Sequence, residues 1–335
     1  MSDVYFSKKI ESLFEHFPEN LNGRTGIKVH FGEEGNETFI PAEIVKKIYL
    51  ELKRRNPRAE IKLIESNVLY RGSRTKTEEH IQTAKKHGFD FAPIEILDDK
   101  GEIKISENLM HFKEVKAGKG IKDFENLIVI SHVKGHCMNG FGGALKNVGM
   151  GIASRGGKLA LHSSTAPRVN WKCSACGKCI EECPVKAIKI EGLNLIKIGK
   201  KARINNEKCI GCAHCIAICP QGAIEIPWGS QTSKDLQEKI DEYCFGILKG
   251  KKSWFINWMG NITKDCDCIG RKQEKETGDI GFLFSRDIVS IDKASFDLIG
   301  KETFKKMWPN IDSEWQFEYA EKIKLGERKN KIKNE

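Results

Sequence analysis

The chain of 335 residues has no run approaching the 18 or more consecutive apolar residues of a membrane-spanning helix, which argues against a membrane protein. Residues 1–10 carry lysines but no apolar block, so no secretory signal is expected. Twelve cysteines in a secreted protein would suggest disulfides, but most of these cysteines are spaced as metal ligands. Metal-ligating thiols suit a reducing cytoplasm, and the expected location is cytoplasmic. With 39% hydrophobic residues the chain can bury a core. Its length fits two ordinary domains, or one large domain carrying an insertion.

Eight of the twelve cysteines fall into two copies of C-x2-C-x2-C-x3-C-P, at residues 173–184 and 209–220. This is the bacterial-ferredoxin pattern for two [4Fe–4S] clusters, in which the fourth cysteine of each run ligates the other cluster. One cluster is therefore expected on Cys173, Cys176, Cys179 and Cys219, and the second on Cys209, Cys212, Cys215 and Cys183. Pro184 and Pro220 end the loops, while Gly177 and Gly211 leave room for backbone N–H groups near the sulfides. Zinc is the competing reading of C-x2-C pairs, but a doubled 2-2-3 spacing with trailing proline is not that of a zinc ribbon. The repeat extends into the flanks, since Ala187-Ile188-Lys-Ile190 recurs 36 residues later as Ala223-Ile224-Glu-Ile226.

The formal charge of +10 invites a nucleic-acid reading. Two clusters at roughly −2 each would cancel about four of those charges. Much of the rest sits in Lys322, Lys324, Arg328, Lys329, Lys331 and Lys333, which read as a solvated, frayed tail. A redox partner protein or a small anionic substrate fits the excess better than nucleic acid.

Apolar periodicity predicts alternating elements: strands at 26–31, 61–64, 93–97 and 126–131, and helices from Pro41 to about Asn56 and over 77–87. A helix over 233–248, a strand over 253–258, an apolar run at 279–284 and a helix over 288–299 return to that style. The expected architecture is an α/β domain with a mostly parallel sheet, plus an inserted α+β ferredoxin-like module. Residues 1–168 and 231–335 would form the two parts of the α/β domain, and residues 169–230 the module, with Trp171 and Trp228 packed against it.

After the 126–131 strand, residues 131–154 hold His132, Lys134, His136, Lys146 and Asn147 among six glycines, Gly142 and Gly143 included. Such a loop exposes backbone N–H groups, and cationic and imidazole groups beside it could bind an anion or move protons. His132, His136, Lys146 and Asn147 are the catalytic candidates, and Gly142, Gly143 and Lys146 the candidate cofactor-binding set. A loop that only packs against the clusters is the bland alternative. His162 is a weaker candidate. Of the four remaining cysteines, Cys137 and Cys244 read as ordinary thiols, whereas Cys266 and Cys268, in Asp-Cys-Asp-Cys, could hold a further metal or act as a redox pair. Asp279, Asp287 and Asp292 could line the same region or serve as helix caps.

Taken together, Lys134-Gly-His-Cys-Met-Asn-Gly-Phe-Gly-Gly-Ala-Leu-Lys-Asn-Val-Gly-Met-Gly151, the doubled cysteine run, Asp265-Cys-Asp-Cys268 and Asp279-Ile-Gly-Phe-Leu-Phe-Ser-Arg-Asp-Ile-Val-Ser-Ile-Asp292 resemble domain of unknown function 362. The last of these has D-I-V-S-I-D where that family more usually has D-P-V-A-I-D. The resemblance spans about Gly26 to Leu298 and implies an uncharacterised iron–sulfur protein with an α/β domain, without a reaction. Phe141-Gly-Gly-Ala-Leu-Lys146, Met150-Gly-Ile-Ala-Ser154 and His162 are similar, more faintly, to lactate racemase motifs. In that family the corresponding region binds a nickel-pincer nucleotide; the likeness implies a related fold and does not transfer the cofactor.

The expected function is electron transfer from two clusters to a substrate or cofactor at the glycine-rich segment, making the chain a possible iron–sulfur oxidoreductase. An electron carrier or docking subunit without its own catalysis is the first alternative. A metal or cofactor maturation factor using the spare cysteines is the second.

Overall fold

The computed structural model describes residues 1–163, 165–192 and 199–335. Eight strands form the main sheet: β1 (Ser2–Ser7), β2 (Thr25–Lys28), β3 (Ile61–Glu65), β4 (Ile94–Ile96), β5 (Asn126–His132), β6 (Lys252–Met259), β7 (Gly281–Ser285) and β8 (Asn330–Asn334). Their order is β8-β1-β7-β6-β5-β2-β3-β4. All neighbours pair in parallel except β7, which runs antiparallel to both β6 and β1. The fold is α/β with a mostly parallel, mixed sheet.

Central strand β5 is buried at every position. Its unbroken apolar run is what a strand covered on both faces requires. Alternate side chains leave opposite faces, so Leu127 and Val129 enter one core while Ile128 and Ile130 enter the other. Each such side chain contributes about 1.5–3 kcal/mol by leaving water. Helices α1 (Ala42–Arg55) and α2 (Thr77–Lys86) cover the Ile128 face through Val45, Ile48, Leu52 and Ala84. The other face carries α3 (Ala144–Gly149), α4 (Arg155–His162), α5 (Ser233–Leu248) and α6 (Ile288–Ile299). Thr232 and Asp235 form a capping box at the start of α5, and the Asp287 carboxylate accepts the Val289 and Ser290 N–H groups at the start of α6.

Among the described residues of 168–225, the strands and helices are short and lie outside the main sheet. The strand Arg168–Val169 pairs antiparallel with Ile224–Glu225, and Ile188–Glu191 with Lys201–Ile204. Short helices cover Lys178–Glu181 and His214–Ile218. A separate apolar core joins Ile188, Ile216, Ile224 and Ile226 to Leu69 and Leu159 of the α/β part.

Two sequence expectations need correction. The basic C-terminal end is not frayed: β8 adds in parallel to β1, with Lys333 on Asp3 at 2.7 Å. Trp171 is 86% exposed rather than packed, and Trp228, itself half exposed, stands edge-on to His162 with ring centroids 4.7 Å apart.

Candidate functional site

The chain lays down β2, β3 and β4 outward in one direction and then returns to place β5 on the other side of β2. This is a topological switch point, where the crevice beyond the strands' carboxyl ends is left open. A cavity of about 400 Å³ lies there. It is lined by His30 after β2, Glu65 and Ser66 at the end of β3, His132 and Lys134 at the end of β5, and the 265–269 turn after β6. Tyr70, Arg74, His136, Lys146, Asn147 and Lys158 add polar groups to the wall, and His162 and Trp228 stand beside them.

Buried ion pairs hold the polar part of the wall in place. Beneath it Lys28 joins Glu65 at 2.9 Å and donates to the Asn147 Oδ1 at 2.7 Å. Asn147 in turn donates to the Ile130 carbonyl and the Ser131 hydroxyl, so it ties α3 to β5. Arg74 donates to Glu33 at 3.1 Å and to the Tyr70 hydroxyl at 2.9 Å. Lys134 meets Asp267 at 2.6 Å, and burial would raise that carboxyl, but His132 and Lys134 hold it well below the usual range. His132 places both ring nitrogens on acceptors, Nδ1 on Asp267 at 2.9 Å and Nε2 on the Gly260 carbonyl at 2.9 Å. Neither nitrogen is free for a ligand, so its service here is to hold Asp267 and the β6 turn.

Other candidates face the cavity with capacity to spare. The His136 Nδ1 accepts the Asn139 N–H at 3.1 Å, which leaves the proton of the neutral ring on Nε2. Burial, then Lys146 and other cations, push His136 well below its ordinary range; burial and Lys146 bring His162 down to about 3. The His162 Nδ1 and the Glu65 Oε2 are buried without a hydrogen-bond partner. Lys146 donates to the Cys266 sulfur at 3.2 Å. Burial opposes its charge, yet the Cys266 and Cys268 sulfurs hold the ammonium above the ordinary lysine range. Conversely, the Cys268 hydrogen bond, helped by Lys146 and Lys134, holds Cys266 well below a normal thiol, and Cys268 is pushed up.

Gly142 and Gly143 line the cavity, and Gly143 has a second reason to lack a side chain: a Cβ there would collide with the Asp292 carboxylate. Asp292 accepts the first N–H groups of α3, from Ala144 at 2.7 Å and Leu145 at 2.8 Å. It and Asp287 are therefore caps, and Asp279 accepts the Asn261 N–H. Of the spare cysteines, Cys137, Cys266 and Cys268 reach the cavity, whereas Cys244 is buried elsewhere and donates to the Leu145 carbonyl.

The eight repeated cysteines form two groups. One small cavity is lined by Cys173, Cys176, Cys179 and Cys219, and another by Cys183, Cys209, Cys212 and Cys215. Among the described residues, neither group brings three sulfurs within 4.8 Å of one another. One zinc ion at ~2.3 Å from each sulfur would need them within about 4 Å. The wider spacing fits a multi-iron cage. Backbone N–H groups already point at sulfur: Ala187 on Cys183 at 3.3 Å, Ala223 on Cys219 at 3.2 Å and Ala202 on Cys173 at 3.3 Å. Leu69 lines the large cavity and also packs in the cysteine-rich core, so the two regions share a wall.

Lys28, His30, Glu65, Arg74 and Lys158 escape motif reading because they are dispersed over 130 residues. Lys28, His30 and Glu65 carry one signal, their position as polar groups at or just after the carboxyl ends of predicted parallel strands; Arg74 and Lys158 carry none.

No curated protein matches the chain. Among solved structures, the lactate racemase apoprotein from Thermoanaerobacterium thermosaccharolyticum is 14% identical at a TM-score of 0.39, over 77% of this chain and 50% of that one. A protein of Thermotoga maritima is 12% identical at a TM-score of 0.41, over 93% of this chain and 58% of its own. The chain thus spans 50% and 58% of the lengths of these two proteins. A family model matches residues 25–297, which take in the switch-point cavity and both cysteine groups, and the chain belongs to the family described as domain of unknown function (DUF362).

Proposed function

We propose that this is an iron–sulfur protein that holds two [4Fe–4S] clusters and uses them to reduce or oxidise a small anionic molecule in the switch-point cavity. The observation that carries the reading is the crosswise grouping of cysteines, three from one run with the fourth of the other, around each small cavity. Cys173, Cys176, Cys179 and Cys219 would hold one cluster, and Cys209, Cys212, Cys215 and Cys183 the other. Such clusters supply single electrons at potentials set by hydrogen bonds to sulfur and by exposure. The residues around the large cavity do the rest. Lys134, Lys146, Lys158 and Arg74 draw in negative charge, and Glu65 Oε2 offers an acceptor to a hydroxyl or amine on the same ligand. His136, neutral and protonated on Nε2, can donate to a bound oxygen. Leu69 and Trp228 line the cavity on the side of the cysteine-rich segment.

Anaerobic purification tests the reading. About eight irons and eight sulfides per chain are expected, with a paramagnetic signal after dithionite. Cys219→Ser should cut iron to about half while Cys244→Ser leaves it intact. A colourless wild-type protein without sulfide would overturn the proposal.

A further inference from the structure

Cys266 and Cys268 share the wall of the large cavity, outside both cysteine groups just described. Their turn is held from several sides. The Ile269 N–H closes on the Cys266 carbonyl at 3.0 Å, Gln273 donates to that carbonyl at 3.2 Å, and the Tyr70 hydroxyl donates to the Cys268 carbonyl at 3.2 Å. Between them Asp267 is fixed through its carboxylate, and its carbonyl accepts the Glu33 N–H at 3.0 Å. Lys146 adds a cation 3.2 Å from the Cys266 sulfur. A metal would need more ligands: among the described residues, no third His, Cys or carboxylate ligand atom joins these two sulfurs within 4.8 Å. Two thiols one residue apart, one of them beside an ammonium and open to a roomy cavity, are the ingredients of thiol–disulfide exchange.

We propose that Cys266 and Cys268 are a redox-active dithiol that exchanges with an anionic, low-molecular-weight disulfide admitted to the cavity. The Cys266 thiolate attacks one sulfur of the incoming disulfide, forming a mixed disulfide and expelling the other half as a thiolate. Cys268 then gives its proton to that thiolate and attacks the Cys266 sulfur, expelling the second half. The sum is one small disulfide, the Cys266 thiolate and the Cys268 thiol converted to one small thiol, one small thiolate and the Cys266–Cys268 disulfide. Lys146 stabilises the attacking sulfur, and Lys134 and Lys158 favour a negatively charged disulfide over a cationic one. Return to the dithiol takes two electrons and two protons; here the inference rests on the reading above, in which a pair of one-electron clusters supplies the electrons, and water in the cavity supplies the protons.

The test uses the full-length protein under anaerobic conditions, with dithiobis(nitrobenzoate) as the anionic disulfide and cystamine as the cationic one, and with iron counted before and after. The expected result is rapid release of about two nitrothiolates per chain, and a peptide spanning 265–270 lighter by two hydrogens. Cys268→Ser should release about one and retain the adduct on Cys266. Lys146→Met should slow the reaction about tenfold, and cystamine should react more slowly than the anionic probe. Labelling that falls on Cys137 or the cluster cysteines instead, or Cys266→Ser reacting at the wild-type rate, would overturn the inference. Exchange in a protein devoid of iron would refute the cluster reading and leave this one standing; full iron without exchange would do the reverse.

Discussion

Lys158 shows what burying a single ammonium costs the fold. Its ammonium donates to the Ala153 carbonyl at 2.8 Å and, among the described residues, meets no carboxylate at ion-pair distance. Burial brings it down to about 8. The folded protein therefore binds this proton less tightly than the unfolded chain does. The cost is fully present below pH 8 and disappears as pH rises toward the unfolded value near 10.4. Lys158→Met should thus raise the unfolding free energy at pH 7 by roughly 1–3 kcal/mol, and the gain should vanish in alkaline denaturation series. The same variant should weaken binding of an anionic ligand several-fold at pH 7, whereas wild-type binding should decline as pH rises through 8. Such a residue is hard to see in a sequence: Lys158 lies in an unremarkable Arg-Gly-Gly-Lys run, and only the fold turns it toward the cavity. His136, Lys146 and Asn147 were legible because they crowd into one glycine-rich segment. Even there the sequence did not separate His136, which keeps a nitrogen free, from His132, whose two nitrogens are committed.

At the scale of elements, the doubling of the cysteine run is also a doubling of backbone conformation. Left-handed residues recur 36 positions apart: Ala175 (φ 55°) with Gly211 (φ 69°), Gly177 (φ 84°) with Ala213 (φ 59°), and Lys186 (φ 51°) with Gly222 (φ 58°). Each pair has a glycine in one half and a side chain strained in the other. Lys186→Gly should therefore stabilise the protein by about 1 kcal/mol, and Gly222→Ala should cost a similar amount. A Cβ at Gly222 would meet only the tip of Arg71, at 3.9 Å, so the effect is conformational rather than steric. Parallel thermal unfolding of the two variants, with shifts of opposite sign, checks this. Helices with strong punctuation were the most legible elements. The α5 capping box and the Asp287 cap with Gly300 beyond α6 set their ends where periodicity put them. Strand β1 was missed and β8 was taken for a loose tail, because Asn-Lys-Ile-Lys-Asn carries the charges that guard a sheet edge and so reads as solvated.

For the molecule as a whole, that edge is a structural commitment. Strand β8 covers β1, and the Glu335 N–H reaches the Phe6 carbonyl at 2.8 Å. Deleting residues 329–335 should lower the unfolding free energy by about 1–3 kcal/mol, seen as a fall of several degrees in unfolding temperature. It should also bring concentration-dependent self-association through the bared β1, measurable by sedimentation. The antiparallel ladder Val169–Ile224 has a different consequence. Entry to and exit from the cysteine-rich segment stand side by side, about 5 Å apart as any paired residues do. A short turn could bridge that gap, making the intervening residues a removable cassette: excising them should yield a colourless scaffold whose sheet closes unchanged.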